Sequence, residues 1–297
     1  MYDCIIIGGG IAGLTAGIYA ARGGLSTVII ESEQCGGQAV MADVVENYPG
    51  FEGHGSELVE KIQQQAENSG ASIEYDEIES VDFNDKIKKV NGFDKTYQGK
   101  TVIIATGAKH KKAGFIGEEK FAGLGVSYCA TCDGAFFKGK DVAVIGGANT
   151  AVSEALYLSN ICRKVYIIYR GSKLRADFAL VKRLKNRTNI EVIYDSIPIE
   201  VTGNKNVEKI ITNNEEINVS GVFVAVGLIP LTGLFSGILE LDESGYIKAN
   251  HGLKTSCDGV FAAGDCRIKR LRQMICAASD GAIAATEAVR TVEECGV

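Results

Sequence analysis

The chain has 297 residues, of which 46% are hydrophobic and 23% charged, with a formal net charge of −6 and three prolines. This composition is ordinary for a soluble globular protein with room for two domains. The acidic balance argues against nucleic acid as the main partner, because phosphate binding needs a basic face. Residues 4–21 carry no charged side chain, which is long enough for a membrane span. Glycines interrupt this stretch, so we expect a strand, a turn and a buried helix, and no membrane association.

The first predicted elements form a βαβ unit. They are a strand at residues 2–7, a helix at 11–22 and a second strand at 26–31. The turn before the helix, residues 8–13, is the first glycine loop; its Gly8, Gly10 and Gly13 let the backbone approach a pyrophosphate at the helix N-terminus. Glu31 ends the second strand, where a carboxylate accepts hydrogen bonds from a ribose 2′-hydroxyl. This unit is therefore expected to bind FAD or NAD.

A pair of cysteines, Cys129 and Cys132, precedes the next βαβ unit. Their spacing can close a small, reducible disulfide. Zinc usually takes four ligands, and the chain has no second Cys-x-x-Cys, so no metal site is expected. Asp133 follows the pair and is a candidate for moving a proton to or from a thiolate, with a turn or cap role as the alternative. No segment suggests export, so a cytoplasmic location is expected, and there a Cys-x-x-Cys is more often catalytic or metal-binding than structural.

The second βαβ unit repeats the order of the first. It comprises a strand at residues 141–145, a helix at 151–160 and a strand at 164–169. Its turn, residues 146–151, is the second glycine loop and contains Gly146, Ala148, Asn149 and Thr150. Alanine places a methyl group where the backbone should approach phosphates, so the fit to the dinucleotide motif is looser than in the first loop. A remnant fold that binds no nucleotide is the alternative.

The end of the second unit differs from the first in charge. Tyr169 stands at the position equivalent to Glu31, and Arg170, Lys173 and Arg175 come after it. Cations at this place suit the 2′-phosphate of NADPH. The second unit is therefore expected to bind NADPH.

The C-terminal part supplies a strand at residues 259–263 and a helix at residues 274–294. Residues 1–112 alone are too few to complete a large dinucleotide domain. We expect residues 1–112 and 240–297 to form one discontinuous domain, into which residues 113–239 are inserted. The predicted fold class is α/β, with two Rossmann-like dinucleotide-binding domains, the second inserted in the first.

With these motifs the chain resembles the low-molecular-weight thioredoxin reductases over its full length. The matching stretches are GGGIAGLTAGIYAA at 8–21, GGQ at 36–38, ENYPGF at 46–51, ATGA at 105–108, SYCATCDG at 127–134, residues 144–160, AAGD at 262–265 and RQ at 272–273. The resemblance implies FAD on the first domain, NADPH on the inserted domain, a homodimer, and a thioredoxin or thioredoxin-like protein as substrate. It implies flavin contacts from Gly37, Gln38, Asn47, Asp265 and Gln273.

The resemblance also implies roles in the reaction. Cys132 would face the flavin, Cys129 would exchange with thioredoxin, and Asp133 would be the acid. Because the nicotinamide and the disulfide must meet the same flavin face, the inserted domain is expected to rotate during turnover. The family usually has His-Arg-Arg-x-x-x-Arg, whereas this chain has YRGSKLR at residues 169–175, with Gly171 replacing an arginine. We therefore expect NADPH as donor with a weakened preference over NADH.

Other functions fit parts of the pattern. A disulfide reductase fed by NADH or reduced ferredoxin would explain the altered second unit. The flavoprotein of a peroxide-reducing system has a similar scaffold, but it usually carries an extra N-terminal module with its own Cys-x-x-Cys. A nucleotide-sensing binding protein, or a flavin-dependent ferredoxin–NADP reductase, would have no need of Cys129 and Cys132.

Overall fold

The structure is a computed structural model that describes residues 1–42 and 44–294. Its strands are β1 Tyr2–Ile7, β2 Thr27–Glu31, β3 Val45–Tyr48, β4 Phe51–Gly53, β5 Ser72–Tyr75, β6 Ile78–Asp82, β7 Lys88–Gly92, β8 Thr96–Ile104, β9 Ala108–His110, β10 Val126–Ser127, β11 Asp141–Ile145, β12 Lys164–Ile168, β13 Ile190–Ile193, β14 Pro198–Thr202, β15 Lys209–Thr212, β16 Glu216–Asn218, β17 Gly221–Val224, β18 Leu228–Pro230 and β19 Val260–Ala262. Its α-helices are α1 Ile11–Arg22, α2 Gly55–Asn68, α3 Ala130–Asp133, α4 Asn149–Leu158, α5 Phe178–Lys185 and α6 Met274–Glu294.

The chain divides into two compact units. The first comprises residues 1–109 and 229–297, and the second residues 110–228. Each contains a sheet with a run of parallel strands and helices packed on it, so the predicted α/β class is confirmed. No helix in the described part of the chain has the length and apolar character to cross a membrane. The stretch at residues 4–21 instead forms most of β1, the first glycine loop and most of α1.

The sheet of the first unit is mixed. Its strands run in the order β5-β2-β1-β8-β7-β6, and β19 pairs with β8. The pairs among β5, β2, β1, β8 and β19 are parallel, whereas β6, β7 and β8 form an antiparallel meander. Side chains alternate between two cores: Ile6 and Ile29 pack with α1, α2 and α6, and Ile5 and Ile7 pack on the opposite face. Burial on both faces explains why β1 is apolar throughout.

The second unit has a parallel sheet in the order β10-β17-β11-β12-β13 and a separate antiparallel sheet β14-β15-β16. Val142 and Val144 face the core beneath α4, while Ala143 and Ile145 face the core shared with the antiparallel sheet. Both faces of the central strand β11 are therefore buried. This arrangement fixes the second glycine loop at the carboxyl end of β11, as β1 fixes the first loop.

Candidate functional site

The first glycine loop comes directly after β1 and is shaped by close backbone contacts. Gly8 has φ +105°, and a Cβ on it would lie 2.5 Å from the Ala105 carbonyl oxygen. A Cβ on Gly13 would collide with the Gly8 carbonyl oxygen. By contrast, a Cβ on Gly10 would meet no described atom within 4 Å. The loop is thus closed against the protein at Gly8 and Gly13 and open at Gly10, at the N-terminus of α1, where a phosphate can approach the backbone.

Glu31 lies at the end of β2 and holds the first glycine loop directly. Its Oε2 accepts a hydrogen bond of 2.7 Å from the Gly9 N–H, and its Oε1 accepts one of 2.8 Å from the Ser32 N–H. Its Oε1 also accepts longer hydrogen bonds from the Ser32 hydroxyl at 3.2 Å and the Glu33 N–H at 3.4 Å. A carboxylate oxygen has two lone pairs, so Oε2, which accepts only the Gly9 bond, is the oxygen with room for a ribose hydroxyl. Sequence reasoning assigned Glu31 to a ribose and missed its second role in ordering the loop.

The other predicted flavin residues lie in separate segments of the first unit: Gly37 and Gln38 in a short 3₁₀ helix, Asn47 in β3 and Gln273 directly before α6. Gly37 begins a short 3₁₀ helix with φ +53°, and the side-chain amide of the next residue, Gln38, donates to the Ala108 carbonyl oxygen. Asn47 Nδ2 donates to Gln273 Oε1 at 3.1 Å, so these two predicted contacts lie side by side although they are far apart in sequence.

Asp265 is held in a buried turn. Its Oδ1 is buried without a hydrogen-bond donor among the described residues, and the Lys269 ammonium lies 3.9 Å from it. Burial raises the pKa of this carboxyl group above its ordinary value. Asp280, on α6, holds the turn by accepting hydrogen bonds from the Gly264 N–H at 3.0 Å and from the Arg267 guanidinium. A buried polar atom without a partner is uncommon, and this oxygen fits a ligand that brings a hydroxyl donor, as FAD does.

The second glycine loop starts as the first does. Gly146 has φ +139°, and a Cβ on it would lie 2.5 Å from the Ala225 carbonyl oxygen. Ala148 is the N-cap residue of α4, and Asn149 and Thr150 form its exposed first turn. The Asn149 side chain is already engaged: it donates to Asp177 Oδ2 at 3.0 Å and accepts from the Asp177 N–H at 2.8 Å.

Tyr169 covers the inner side of the second loop. A Cβ on Gly147 would lie 2.5 Å from Tyr169 Cγ, and a Cβ on Gly171 would lie 2.9 Å from Tyr169 Cε1. The aromatic ring therefore fits only because both neighbours are glycines. Arg170 and Arg175 are exposed beyond the end of β12, and the Arg175 N–H donates to the Gly147 carbonyl oxygen at 2.8 Å.

The cysteine pair forms a disulfide at the start of α3. Cys129 and Cys132 are bonded, with their Cα atoms 5.3 Å apart. Cys129 is the N-cap residue, and its sulfur accepts a hydrogen bond of 3.2 Å from the Cys132 N–H. Cys129 is half-buried, whereas Cys132 is exposed on the surface of the second unit. The short loop and accessible sulfurs suit thiol–disulfide exchange.

A hydrogen-bonded chain links Asp133 to the cysteine backbone. The Ser127 hydroxyl donates to Asp133 Oδ2 at 2.6 Å, and Ser127 Oγ accepts the Cys129 N–H at 3.1 Å. Burial raises the pKa of Asp133 above its ordinary value, and the Ser127 bond partly offsets this. A carboxyl group in this setting holds a proton more readily than one in water. Sequence reasoning missed Ser127, although it begins the SYCATCDG motif.

The remaining described cysteines do not extend this site. Six of them are free thiols, and Cys35 is buried, which raises its pKa to about 11. Such a thiol is unreactive near neutral pH. Within residues 1–42 and 44–294, no group of three or more histidine, cysteine or acidic side chains is placed to hold a metal ion.

Comparison with known proteins places this geometry among flavin-dependent disulfide reductases. Residues 2–281 match the family described as pyridine nucleotide-disulphide oxidoreductase. A thioredoxin reductase of Peptoclostridium acidaminophilum is 42% identical over 307 residues, which cover 99% of this chain and 98% of that protein. The crystal structure of thioredoxin reductase from Streptococcus pyogenes MGAS5005 is 40% identical, covers 99% of both chains and has a TM-score of 0.95. A ferredoxin-flavin thioredoxin reductase from Clostridium acetobutylicum is 34% identical over 99% of this chain, with a TM-score of 0.55.

Proposed function

We propose, from the premise that this chain belongs to the pyridine nucleotide-disulphide oxidoreductase family, that it reduces the disulfide of a thioredoxin or thioredoxin-like protein with electrons from NADPH. The observation that carries the proposal is the Cys129–Cys132 disulfide, which lies beside a buried carboxyl group in the same unit as the second glycine loop. The family uses a flavin and a nicotinamide cofactor, and these supply hydride and two-electron transfer when bound.

We assign FAD to the domain of residues 1–112 and 240–297, and NADPH to residues 113–239. Support for FAD comes from the open space at Gly10, the buried Asp265 oxygen that accepts no hydrogen bond from the described residues, and the Glu31 carboxylate. Gly8, Gly13, Gly37, Gln38, Asn47 and Gln273 complete the proposed flavin site. Support for NADPH comes from Gly146, Ala148, Asn149 and Thr150 at the start of α4, together with Arg170 and Arg175 at the end of β12.

The proposed exchange runs between sulfur atoms. The Cys129 thiolate attacks the partner disulfide, so a bond forms to one partner sulfur and the other leaves as a thiolate. Cys132 then attacks Cys129 Sγ, which restores the enzyme disulfide and releases the partner as a dithiol. The exchange starts from the dithiol form of the enzyme, and the two electrons and two protons that its cysteine thiols lose are gained by the partner. We assign Asp133, whose Oδ2 accepts the Ser127 hydroxyl, as the acid that gives a proton to a leaving sulfur; its raised pKa supports this role.

The donor is the point at which a second function has specific support. Tyr169 replaces the acid that would bind a ribose, but Gly171 removes one cation from the usual phosphate grip. A charge-assisted hydrogen bond contributes about 1.5–3 kcal/mol, so its loss lowers the preference for NADPH over NADH by roughly 10- to 100-fold. The likeness to a ferredoxin-flavin thioredoxin reductase makes reduced ferredoxin the alternative donor.

Anaerobic titration of the flavin-loaded protein separates these donors. We expect NADPH to bleach the flavin absorbance, NADH to do so at higher concentration, and added oxidised thioredoxin to restore the colour. Bleaching by reduced ferredoxin but by neither nucleotide would establish the alternative. Loss of one charge-assisted hydrogen bond should reduce the preference for NADPH over NADH by about 10- to 100-fold. A kcat/KM for NADPH that exceeds that for NADH by about 1,000-fold or more would contradict this weakened preference.

The cysteine pair is tested by substitution. Cys129→Ser and Cys132→Ser should each abolish thioredoxin reduction while flavin remains bound and reducible. Cys257→Ser, which removes a free thiol elsewhere, is the matched control and should leave turnover unchanged. Full turnover in the double variant of Cys129 and Cys132 would overturn the proposal.

Three further properties belong to the proposed function. The inserted domain rotates during turnover, so a cross-link between the two domains should permit one half-reaction but stop turnover. The protein acts as a homodimer, which sedimentation can test. It works in the cytoplasm, which the many free thiols favour because disulfides seldom persist there.

A further inference from the structure

Glu154 is a buried carboxyl group on α4 that the proposed exchange between sulfur atoms does not use. Its Oε2 is buried and has no hydrogen-bond donor among the described residues. The backbone N–H of Ala130 lies close enough to the same carboxyl group to favour its charged form. Ala130 is fully buried, directly follows Cys129 and begins α3, which packs on α4. A side chain from the nucleotide-binding helix thus contacts the first peptide of the redox turn.

Burial changes the acidity of this group. It raises the pKa of Glu154 to about 7, and the Ala130 N–H offsets only part of that rise. Glu154 is therefore neutral below about pH 7 and charged above it. Glu154 therefore ionises in the pH range in which the thiols of a Cys-x-x-Cys pair react with disulfides.

Other charged groups lie on the elements around α4. The titratable and charged side chains on α3, β11, β12 and α5 are Asp133, Asp141, Lys164, Tyr166, Lys182, Arg183 and Lys185, besides the cysteine pair itself. Asp141 is paired with Arg163 and Lys164 with Glu191, while the three cations of α5 are exposed. Asp133 is the remaining carboxyl group near the cysteines, and the experiment must separate it from Glu154.

We propose that Glu154 is a positioning residue of the redox site, whose carboxylate holds the first turn of α3 and, when charged, disfavours the Cys129 thiolate. The physical reason is that a buried negative charge is poorly screened, so it opposes a second negative charge close by. Protonation of Glu154 removes this repulsion of the Cys129 thiolate. This inference rests on the proposed attack by Cys129, but it requires neither a particular donor nor a particular partner.

The test measures how fast Cys129 is alkylated at different pH values. Flavin-loaded protein is reduced with dithiothreitol, freed of reductant under argon and treated with iodoacetamide from about pH 5 to 9, a range chosen to span about two pH units on either side of 7. Modification of the Cys129 peptide is followed by mass spectrometry. Because two interacting groups titrate together, the wild-type rate should rise over a broader range than one proton allows.

Glu154→Gln keeps an oxygen that can accept the Ala130 N–H but removes the charge. We expect its profile to be narrower than the wild-type profile and to lie at lower pH, with alkylation at about pH 8 faster by roughly 3- to 10-fold. Ser153→Gln, at the exposed neighbouring position of α4, should match the wild type. Asp133→Asn should keep the broad profile.

Three results would overturn the proposal. One is a wild-type rate that follows a single one-proton titration, which needs no variant to detect. Another is a Glu154→Gln profile that superimposes on the wild type. The third is loss of the broad profile in Asp133→Asn with its retention in Glu154→Gln, which would assign the charge to Asp133. None of these depends on thioredoxin turnover, so failure here is distinct from failure of the proposed function.

Discussion

The two glycine loops begin with the same backbone geometry and differ in their later residues. In each, the first glycine has a positive φ and lies against an alanine carbonyl oxygen of the neighbouring strand, Ala105 for Gly8 and Ala225 for Gly146. Parallel strands β1 and β11 impose this approach, because each ends beside the strand that leads into that carbonyl group. The shared feature therefore belongs to the fold rather than to the ligand.

The differences lie where a ligand would be recognised. In the first loop, Gly10 leaves open space and the Glu31 carboxylate braces the Gly9 N–H. In the second, Ala148 replaces the open glycine, and the Tyr169 ring packs where a carboxylate would stand. The first loop is therefore ordered by charge-assisted hydrogen bonds and the second by packing. Substitutions at the residues that differ between the two loops test whether hydrogen bonding orders the first loop and packing orders the second.

Gly13→Ala should have the largest effect. The new methyl group would collide with the Gly8 carbonyl oxygen, and overpacking of this kind costs about 3 kcal/mol. If the strain is relieved by moving the loop, flavin affinity should fall on the order of 100-fold. Flavin content and thermal unfolding report the change. Ala151→Gly, at the equivalent position of the second loop, should cost about 1 kcal/mol and leave the flavin in place. A fully flavinated Gly13→Ala protein of normal stability would refute the steric argument.

Glu31→Gln should come next. The amide can still accept one backbone N–H, but it loses the charge that strengthens the bonds to Gly9 and Ser32 and to a ribose. A hydrogen bond to a charged group contributes about 1.5–3 kcal/mol, so FAD should bind roughly 10- to 100-fold more weakly. Rebinding of FAD to apoprotein, monitored by flavin fluorescence, measures this. Glu33→Gln, an exposed neighbour, should bind FAD normally; equal losses in the two variants would point to general charge instead.

The donor preference should respond to Tyr169 and Gly171 only when both change. An arginine at position 171 would bring its Cβ to 2.9 Å from Tyr169 Cε1, so Gly171→Arg alone must displace the ring. We expect less than about a 3-fold gain in the NADPH-to-NADH ratio of kcat/KM from Gly171→Arg, and about 10-fold or more when Tyr169→His is added. Tyr169→His alone is the control. A single Gly171→Arg variant that reaches the gain of the double variant would show that the ring does not obstruct the cation.

Local sequence patterns were sufficient to predict much of the fold. α1 and α6 begin and end where their apolar, alanine-rich stretches do, and β1, β2, β11 and β12 agree within about one residue. A continuous apolar strand followed by a glycine-rich turn is compatible with few other secondary structures. The antiparallel meander of β6, β7 and β8 was not foreseen, because β6 and β7 are short, partly buried strands in which apolar and polar residues alternate only weakly.

The site was less accessible to sequence reasoning wherever contacts join distant residues. The spacing of the cysteines and glycines marked the redox pair and both loops. It carried no information on the Ser127–Asp133 hydrogen bond, the burial of Glu154 or the packing of Tyr169 between two glycines. Each depends on how a turn or strand end meets its neighbour in three dimensions. The residue types of the site can therefore be predicted from the sequence, whereas the contacts and pKa values of those residues cannot.

Ala148→Gly should have the smallest effect and tests the loops at a single methyl group. Ala148 has an extended backbone with φ −97°, so glycine is not needed there for conformation, and an N-cap glycine is well tolerated. Removing the methyl should lower the donor KM by about 2- to 5-fold, equivalent to roughly 0.5–1 kcal/mol, with kcat unchanged. The reciprocal Gly10→Ala should weaken FAD by a similar factor, because its Cβ would meet only the ligand. An unchanged KM for Ala148→Gly, alongside weaker flavin in Gly10→Ala, would mean that the donor approaches the second loop less closely than FAD approaches the first.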